Sequence, residues 1–264
     1  MKNVILYGIA FAALVAVGVS FSNSLGYSNG FPRRFLPNLT TQVTQGLRLS
    51  GEIVEDRRTL DSFDSILLPG SGKVTVRIGD TASVLVRADR ALLPSVDTRV
   101  QGNNLVLGMG GSIASGIAGI TSASRVEYEV TVPSLRNIKV VGAAVVQVLD
   151  PIRGKEFSVE IAGSGSVQAN LEVESFSASI LGSGDVEMRG RTERLDLKVL
   201  GSGDLKAKDL AGASASIAIM GSGDVDVGTF KDLNITIAGS GDVTYAGKPS
   251  IKSSLPGSGK IKER

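Results

Sequence analysis

Four aspartates are the residues whose type and spacing point most directly to chemistry. Asp185, Asp204, Asp224 and Asp242 each close a Gly-Ser-Gly-Asp tetrapeptide and follow one another by 19, 20 and 18 residues. Such a row has two chemical uses. Oxygen-rich carboxylates suit a hard cation such as calcium, and paired carboxylates serve acid–base cleavage of glycosidic bonds. Little other catalytic vocabulary is available. The chain has no histidine and no cysteine, which removes imidazole acid–base chemistry, thiolate nucleophiles, disulfides and thiolate metal sites together. It also has no tryptophan and four tyrosines, so platforms for sugar rings are scarce; Tyr128 and Tyr245 read as packing or surface residues.

The spacing itself argues against catalysis. The four acids hold equivalent places in successive repeats, whereas a catalytic site needs unlike groups converging at one irregular place. The expectation is a non-enzymatic chain without a cofactor. A polysaccharide-active enzyme and a calcium-stabilised aspartate row stand as the alternatives. Calcium-binding nonapeptide repeats share a Gly-x-Gly and an Asp, but here the period is about twice as long. Carboxylates about 4.8 Å apart repel by roughly 1 kcal/mol in water. Solvent exposure and Asx-type hydrogen bonds from the turn's own N–H groups are expected to offset that repulsion.

The elements that must position these acids are strands. Aligned on the glycine that opens each corner, the segments read IKVVGAAVVQV, VEIAGSGSVQA, ASILGSGDVEM, LKVLGSGDLKA, IAIMGSGDVDV, ITIAGSGDVTY and SSLPGSGKIKE. Their opening glycines, Gly142, Gly163, Gly182, Gly201, Gly221, Gly239 and Gly257, lie 18 to 21 residues apart. Two and four positions before each glycine the residues are chiefly apolar, as in Val159 and Ile161 or Ile235 and Ile237, with polar residues between them. That is the period of a strand with one buried face. Val167, Val186, Leu205, Val225, Val243 and Ile261 continue the inward series past the corner.

No single repeat can bury its own apolar row, but stacked copies can. The fold class is therefore all-β: a parallel β-helix or solenoid of about 18–21 residues per coil, right-handed by crossover chirality. The corner glycines Gly163, Gly165, Gly182, Gly184, Gly201, Gly203, Gly221, Gly223, Gly239 and Gly241 are structural on this reading. Glycine permits positive φ and close backbone approach, and the intervening serine hydroxyl is available to backbone groups freed at the bend. At the ends of the aspartate row stand Val145, Ser166 and Lys260, and Lys260 is placed to pair with Asp242 as a polar finish to the last coil.

The rest of the chain sets the context. Lys2 precedes an uncharged, mostly apolar run at residues 4–21, which reads as an export signal or an uncleaved membrane anchor helix. Residues 1–24 form that signal or anchor and 25–58 a polar spacer. Residues 59–135 form an N-terminal β portion, with TRVQGNNLVLGM and SRVEYEVTVPSL as two strands joined by a small-residue loop, and 136–264 form the repeat solenoid. The 28 basic and 26 acidic residues are spread without long single-sign runs, so no nucleic-acid footprint is present.

The stretch FDSILLPGSGKVTVRIGDTASVLVRADRALLPSVDTRVQGNNLVLGM, the later YEVTVPSLRNIKVVGAAVVQV and the GSGDV series together resemble the head GIN domain family of auto-transporter adhesins, over approximately Thr59 to Tyr245. The resemblance implies an exported bacterial protein of the periplasm, envelope or cell surface with a β-helical body and an adhesive role. Its partner would be an envelope or surface glycan or protein, with self-association through exposed end strands. It brings no catalytic motif. GAAV stands where GSGD is expected at Gly142, and the lipid-anchor cysteine of many members is absent.

Overall fold

The computed structural model of the protein describes residues 49–109 and 126–264. The apolar run at residues 4–21 and most of the spacer lie outside the described residues, as does the small-residue loop after Met109. No helix among the described residues is long and apolar enough to cross a membrane.

The strands are, in chain order, β1 (Ile53–Thr59), β2 (Ser65–Gly70), β3 (Lys73–Ile78), β4 (Ser83–Asp89), β5 (Val96–Gln101), β6 (Asn104–Met109), β7 (Glu127–Val132), β8 (Asn137–Gly142), β9 (Val145–Val148), β10 (Ile152–Gly163), β11 (Ser166–Gly182), β12 (Asp185–Gly201), β13 (Leu205–Gly221), β14 (Val225–Gly239), β15 (Val243–Ala246), β16 (Ser250–Ser254) and β17 (Ile261–Glu263). From β8 onward they make a parallel β-solenoid, about seven turns in all. Residues at the same place in the repeat sit side by side: Gly142 pairs with Gly163, then Gly182, Gly201, Gly221 and Gly239.

The period-two pattern decides what is inside. Val159, Ile161, Ile180, Leu197, Val199, Ile217, Ile219, Ile235 and Ile237 are all buried, as are Val167, Val186, Leu205, Val225 and Val243 beyond the corner. Each large aliphatic side chain removed from water contributes about 1.5–3 kcal/mol, and stacking joins the rows into one core. Phe157 and Phe176 stack within it, ring centroids 5.8 Å apart and planes 14° from parallel. Among the inward residues of the row past the corner, only Ile261 is partly exposed.

The N-terminal part departs from a simple stack. β2 and β3, with the corner Gly70-Ser71-Gly72, pair directly with β8 and β9, so Gly70 and Gly142 are neighbours although the intervening chain leaves the stack. That chain returns on the opposite side, where β6 and β7 pair in parallel with β2 and β3. The order of coils in space is thus not their order in sequence. Antiparallel strands complete this end: β4 on β7, β1 on β4, and β5 on β6.

Two sequence expectations need correction here. TRVQGNNLVLGM is not one strand but a hairpin, β5–β6, turned at Gly102 with φ +61°. A two-residue Gly-Asn turn of positive φ is what joins closely paired antiparallel strands. And β1 begins within the stretch read as spacer. Its burial alternates between exposed and half-buried residues, so it lacks the strong apolar row that marks the other strands. Arg87 of β4 holds it, with Glu55 on one side and Glu129 of β7 on the other.

Asp89, at the end of β4, is fully buried. Its carboxylate accepts hydrogen bonds from the Ser50 N–H (3.0 Å) and hydroxyl (2.8 Å), the Gly51 N–H (2.8 Å) and the Ala91 N–H (2.9 Å). Burial alone would raise its pKa, but these donors outweigh it and hold the carboxyl down at about 2. A single acid thereby fastens the start of the described chain to the sheet.

Candidate functional site

The corner is built on two columns of glycine. From Gly142 to Gly239 the opening column has positive φ, from +124° at Gly182 to +155° at Gly239, a region L-residues avoid. A Cβ on Gly182 would stand 2.5 Å from the Gly163 carbonyl oxygen of the coil before. From Gly165 onward the second column has no positive φ and is glycine for space alone. A Cβ on Gly184 would meet the Gly165 carbonyl oxygen at 2.7 Å and the Ile161 side chain at 2.6 Å. Between the columns the chain stays in the ladder: the N–H groups of Ser183, Ser202, Ser222 and Ser240 donate to Gly163, Gly182, Gly201 and Gly221 at 2.8–2.9 Å. The serine main chain therefore satisfies the bend, and the exposed side chains are not needed for it as the sequence reading supposed.

The structure brings the four aspartates into one row, but the carboxylates of Asp204, Asp224 and Asp242 accept hydrogen bonds from the next coil, not from within the turn. Asp204 Oδ1 accepts the Asp224 N–H at 2.9 Å, Asp224 Oδ1 the Asp242 N–H at 2.8 Å, and Asp242 Oδ1 the Lys260 N–H at 2.9 Å. The N–H of the next residue in each coil returns a bond to the following coil, as Leu205 does to the Asp224 carbonyl at 3.0 Å. In the earlier coils a main-chain carbonyl does the carboxylate's job. Val145 donates to Gly72, Ser166 to Ala144 and Asp185 to Gly165, at 2.9–3.0 Å.

This substitution accounts for the sequence change along the row. Where the backbone path presents a carbonyl to the next coil, the preceding rung is Val145 or Ser166. At the last three rungs it is an aspartate, Asp204, Asp224 or Asp242, whose carboxylate stands in; among the described residues Asp185 accepts no such bond. The ladder is a device of register, and each shared N–H offsets part of the repulsion between neighbouring carboxylates.

Charge at the end of the row is settled by a residue the sequence reading passed over. The ammonium of Lys262 meets Asp242 Oδ2 at 2.6 Å, while Lys260 contributes its main-chain N–H. Lys262, then the Lys260 N–H, hold the Asp242 carboxyl below its ordinary value. Beside the row runs an open groove of about 640 Å³ bordered by Glu187, Lys206, Asp226 and Thr244. Beyond the row, the groove's acids have cations of their own: Glu187 and Asp209 share Arg189, and Asp226 has Arg264. Among the described residues no three acidic side chains converge as ligands for a metal ion. Tyr128 is buried, which pushes its phenol up to about 12, and its hydroxyl donates to the Gly108 carbonyl at 3.3 Å. Tyr245 packs against the core.

A second row escaped the sequence reading. The residue just before each opening glycine points outward, yet it is apolar: Val141, Ala162, Leu181, Leu200, Met220 and Ala238, paired in register from coil to coil. Val141 is 41% exposed, Leu181 48%, Leu200 38% and Met220 53%. The signal was legible in IAG, ILG, VLG and IMG, where the outward place in the alternation carries no polar residue. The corners of Gly182, Gly201, Gly221 and Gly239 thus have an apolar flank and, across three residues, an acidic one.

Residues 62–249 match the model of a family described as "Putative auto-transporter adhesin, head GIN domain". No curated protein matches the chain. Solved structures share the fold. A "putative adhesin" from Bacteroides fragilis is similar with a TM-score of 0.74 at 19% identity, over 83% of this chain and 100% of that one. A "putative lipid binding protein" from Parabacteroides distasonis gives 0.67 at 24% identity, over 82% and 98%. A "putative adhesin" from Parabacteroides merdae gives 0.58 at 20% identity, over 82% and 98%.

Proposed function

The chain belongs to the head GIN domain family, and from that premise we propose that it is an exported, non-enzymatic, adhesin-like module whose solenoid is displayed at the cell envelope and binds through its repeated surface. The observation that carries this reading is the use the fold makes of its acids. Asp204, Asp224 and Asp242, the side chains best spaced for catalysis or cation binding, each commit an oxygen to the main chain of the next coil. That ties each carboxylate to the ladder by one oxygen, and among the described residues no three acidic side chains converge on one ion, as a metal centre needs. What the coils offer outward is a set of long rows repeated at strand spacing, suited to holding an extended partner at many weak contacts.

Display and adhesion are tested together on cells producing the full-length chain. Protease added to intact cells is expected to degrade the solenoid, and untreated cells are expected to adhere to host or envelope glycans or proteins in proportion to the amount displayed. A solenoid protected in intact cells and degraded only after lysis would overturn display. Display without any gain in adherence would overturn adhesion.

A further inference from the structure

The adhesin reading leaves open where on the solenoid a partner sits. The apolar row Val141–Ala162–Leu181–Leu200–Met220–Ala238 is the strongest exposed feature: four of its six members are large apolar residues 38–53% exposed in line along the axis, and five strand steps give it a length of about 24 Å. Solitary exposed apolar residues need no explanation, but a continuous row marks an interaction site. Across the Gly-Ser-Gly ridge stand Asp185, Asp204, Asp224 and Asp242. Among the described residues only Asp242 of these four has a cation partner. On the other side of the apolar row, in the coils of Leu181 to Met220, the next outward residues are Ser179, Lys198 and Ala218, and the ammonium of Lys198 already faces Asp196 at 4.0 Å.

The ridge is thus apolar on one flank and, in the coils of Leu181 to Ala238, acidic on the other, where Asp185, Asp204 and Asp224 have no ion-pair partner among the described residues although Lys206 and Lys208 border the groove beyond them; its complement is a segment with an apolar face bordered by basic residues. We propose that the row and the aspartate ladder together form a docking ridge for an amphipathic, cationic polypeptide segment of a partner protein, about seven residues long if extended or about sixteen if helical. The inference rests on the binding-module reading above. An anionic membrane surface is the wrong sign for the ladder. A second copy laid stripe to stripe in the opposite direction sets aspartate row against aspartate row, and the large side chains of the stripe expose roughly 300–400 Å², about half of what each partner contributes to a stable dimer. A slender segment needs less area and matches the charge.

The test uses the full-length chain in nonionic detergent and a fluorescein-labelled probe peptide of about sixteen residues with a leucine face and flanking lysines. The probe is expected to bind more weakly as salt rises. Leu200→Ser with Met220→Ser is expected to weaken it about tenfold. Asp204→Asn with Asp224→Asn keeps the oxygen that accepts the next coil's N–H while removing the charge, and is expected to weaken binding several-fold and flatten the salt dependence. A probe with serine in place of leucine is expected not to bind.

Unchanged affinity in the stripe variant overturns the proposal. So does stripe-dependent binding to vesicles of phosphatidylglycerol in place of the peptide, or a sedimenting dimer that the stripe variant disperses. Cells displaying the stripe variant separate the two readings. Adherence that survives the substitutions sinks the ridge and leaves the adhesin reading standing; stripe-dependent peptide binding without adherence by wild-type cells does the reverse.

Discussion

At the scale of single residues, the two glycine columns fail for different reasons and are separable by substitution. Gly201→Val places a branched side chain at φ +136° against the Gly182 carbonyl, combining backbone strain with a clash, and is expected to cost at least about 3 kcal/mol of stability. Gly203→Ala meets no φ penalty but pushes a methyl into the Gly184 carbonyl and the Ile180 side chain, costing about 1–3 kcal/mol. Denaturant melts of the two variants check both figures. The ladder acids behave differently. Asp224→Asn keeps an acceptor for the Asp242 N–H and is expected to stay within about 0.5 kcal/mol of wild type, whereas Asp224→Ala is expected to lose about 1 kcal/mol.

Asp89 supplies the pH dependence. Its folded pKa, about 2, lies below the ordinary 3.8, so its contribution is complete above the ordinary value and is lost as pH falls from about 4 toward 2. Thermal melts followed by circular dichroism are expected to show a fall in Tm across that window that is smaller in Asp89→Asn. The glycine corners and the inward Val and Ile were legible in the sequence because spacing and alternation record them. The role of Asp204 was not, because the acceptor it replaces belongs to a neighbouring coil, and Asp89 was not, because its donors at Ser50 and Gly51 are far away in the chain.

At the scale of elements, β11 to β14 are each one coil and contact chiefly their neighbours along the stack. Stability in such arrays is close to a sum of coils and interfaces. Excision of one complete coil, residues 183–201, joins Gly182 to Ser202 in the same frame and is expected to leave a folded, cooperatively melting protein with a lower Tm. Excision of half a coil, residues 183–192, removes an incomplete turn and is expected to abolish cooperative melting. Calorimetry of the two deletions checks this.

The repeats past Asn137 were readable because each repeats the same instruction. Between Gly79 and Arg136 strands were legible but their partners were not, because β4 and β5 pair antiparallel over seven residues or fewer and β6 and β7 reach back to β2 and β3. Nothing in a local pattern of Val and Thr encodes which earlier strand will be the neighbour. The charged β1, with Glu55, Asp56, Arg57 and Arg58 in sequence, also fits its place at an edge, where charge discourages pairing with other chains.

At the scale of the whole molecule, the corner glycines and one oxygen each of Asp204, Asp224 and Asp242 hold coils in register, and the proposed module binds through the outward rows and the charge those carboxylates keep. With no histidine or cysteine and acids in equivalent places, the sequence has material for a long surface and little for a reactive centre, and the central claim proposed is that the chain binds without chemistry. The most direct test of that claim is prolonged incubation of the full-length chain with host and envelope glycans and proteins, measuring both the fraction retained and the mass of the retained partner. The account predicts saturable retention with the partner recovered at its original mass. Release of shortened glycan or cleaved protein in step with the amount of chain added would contradict it.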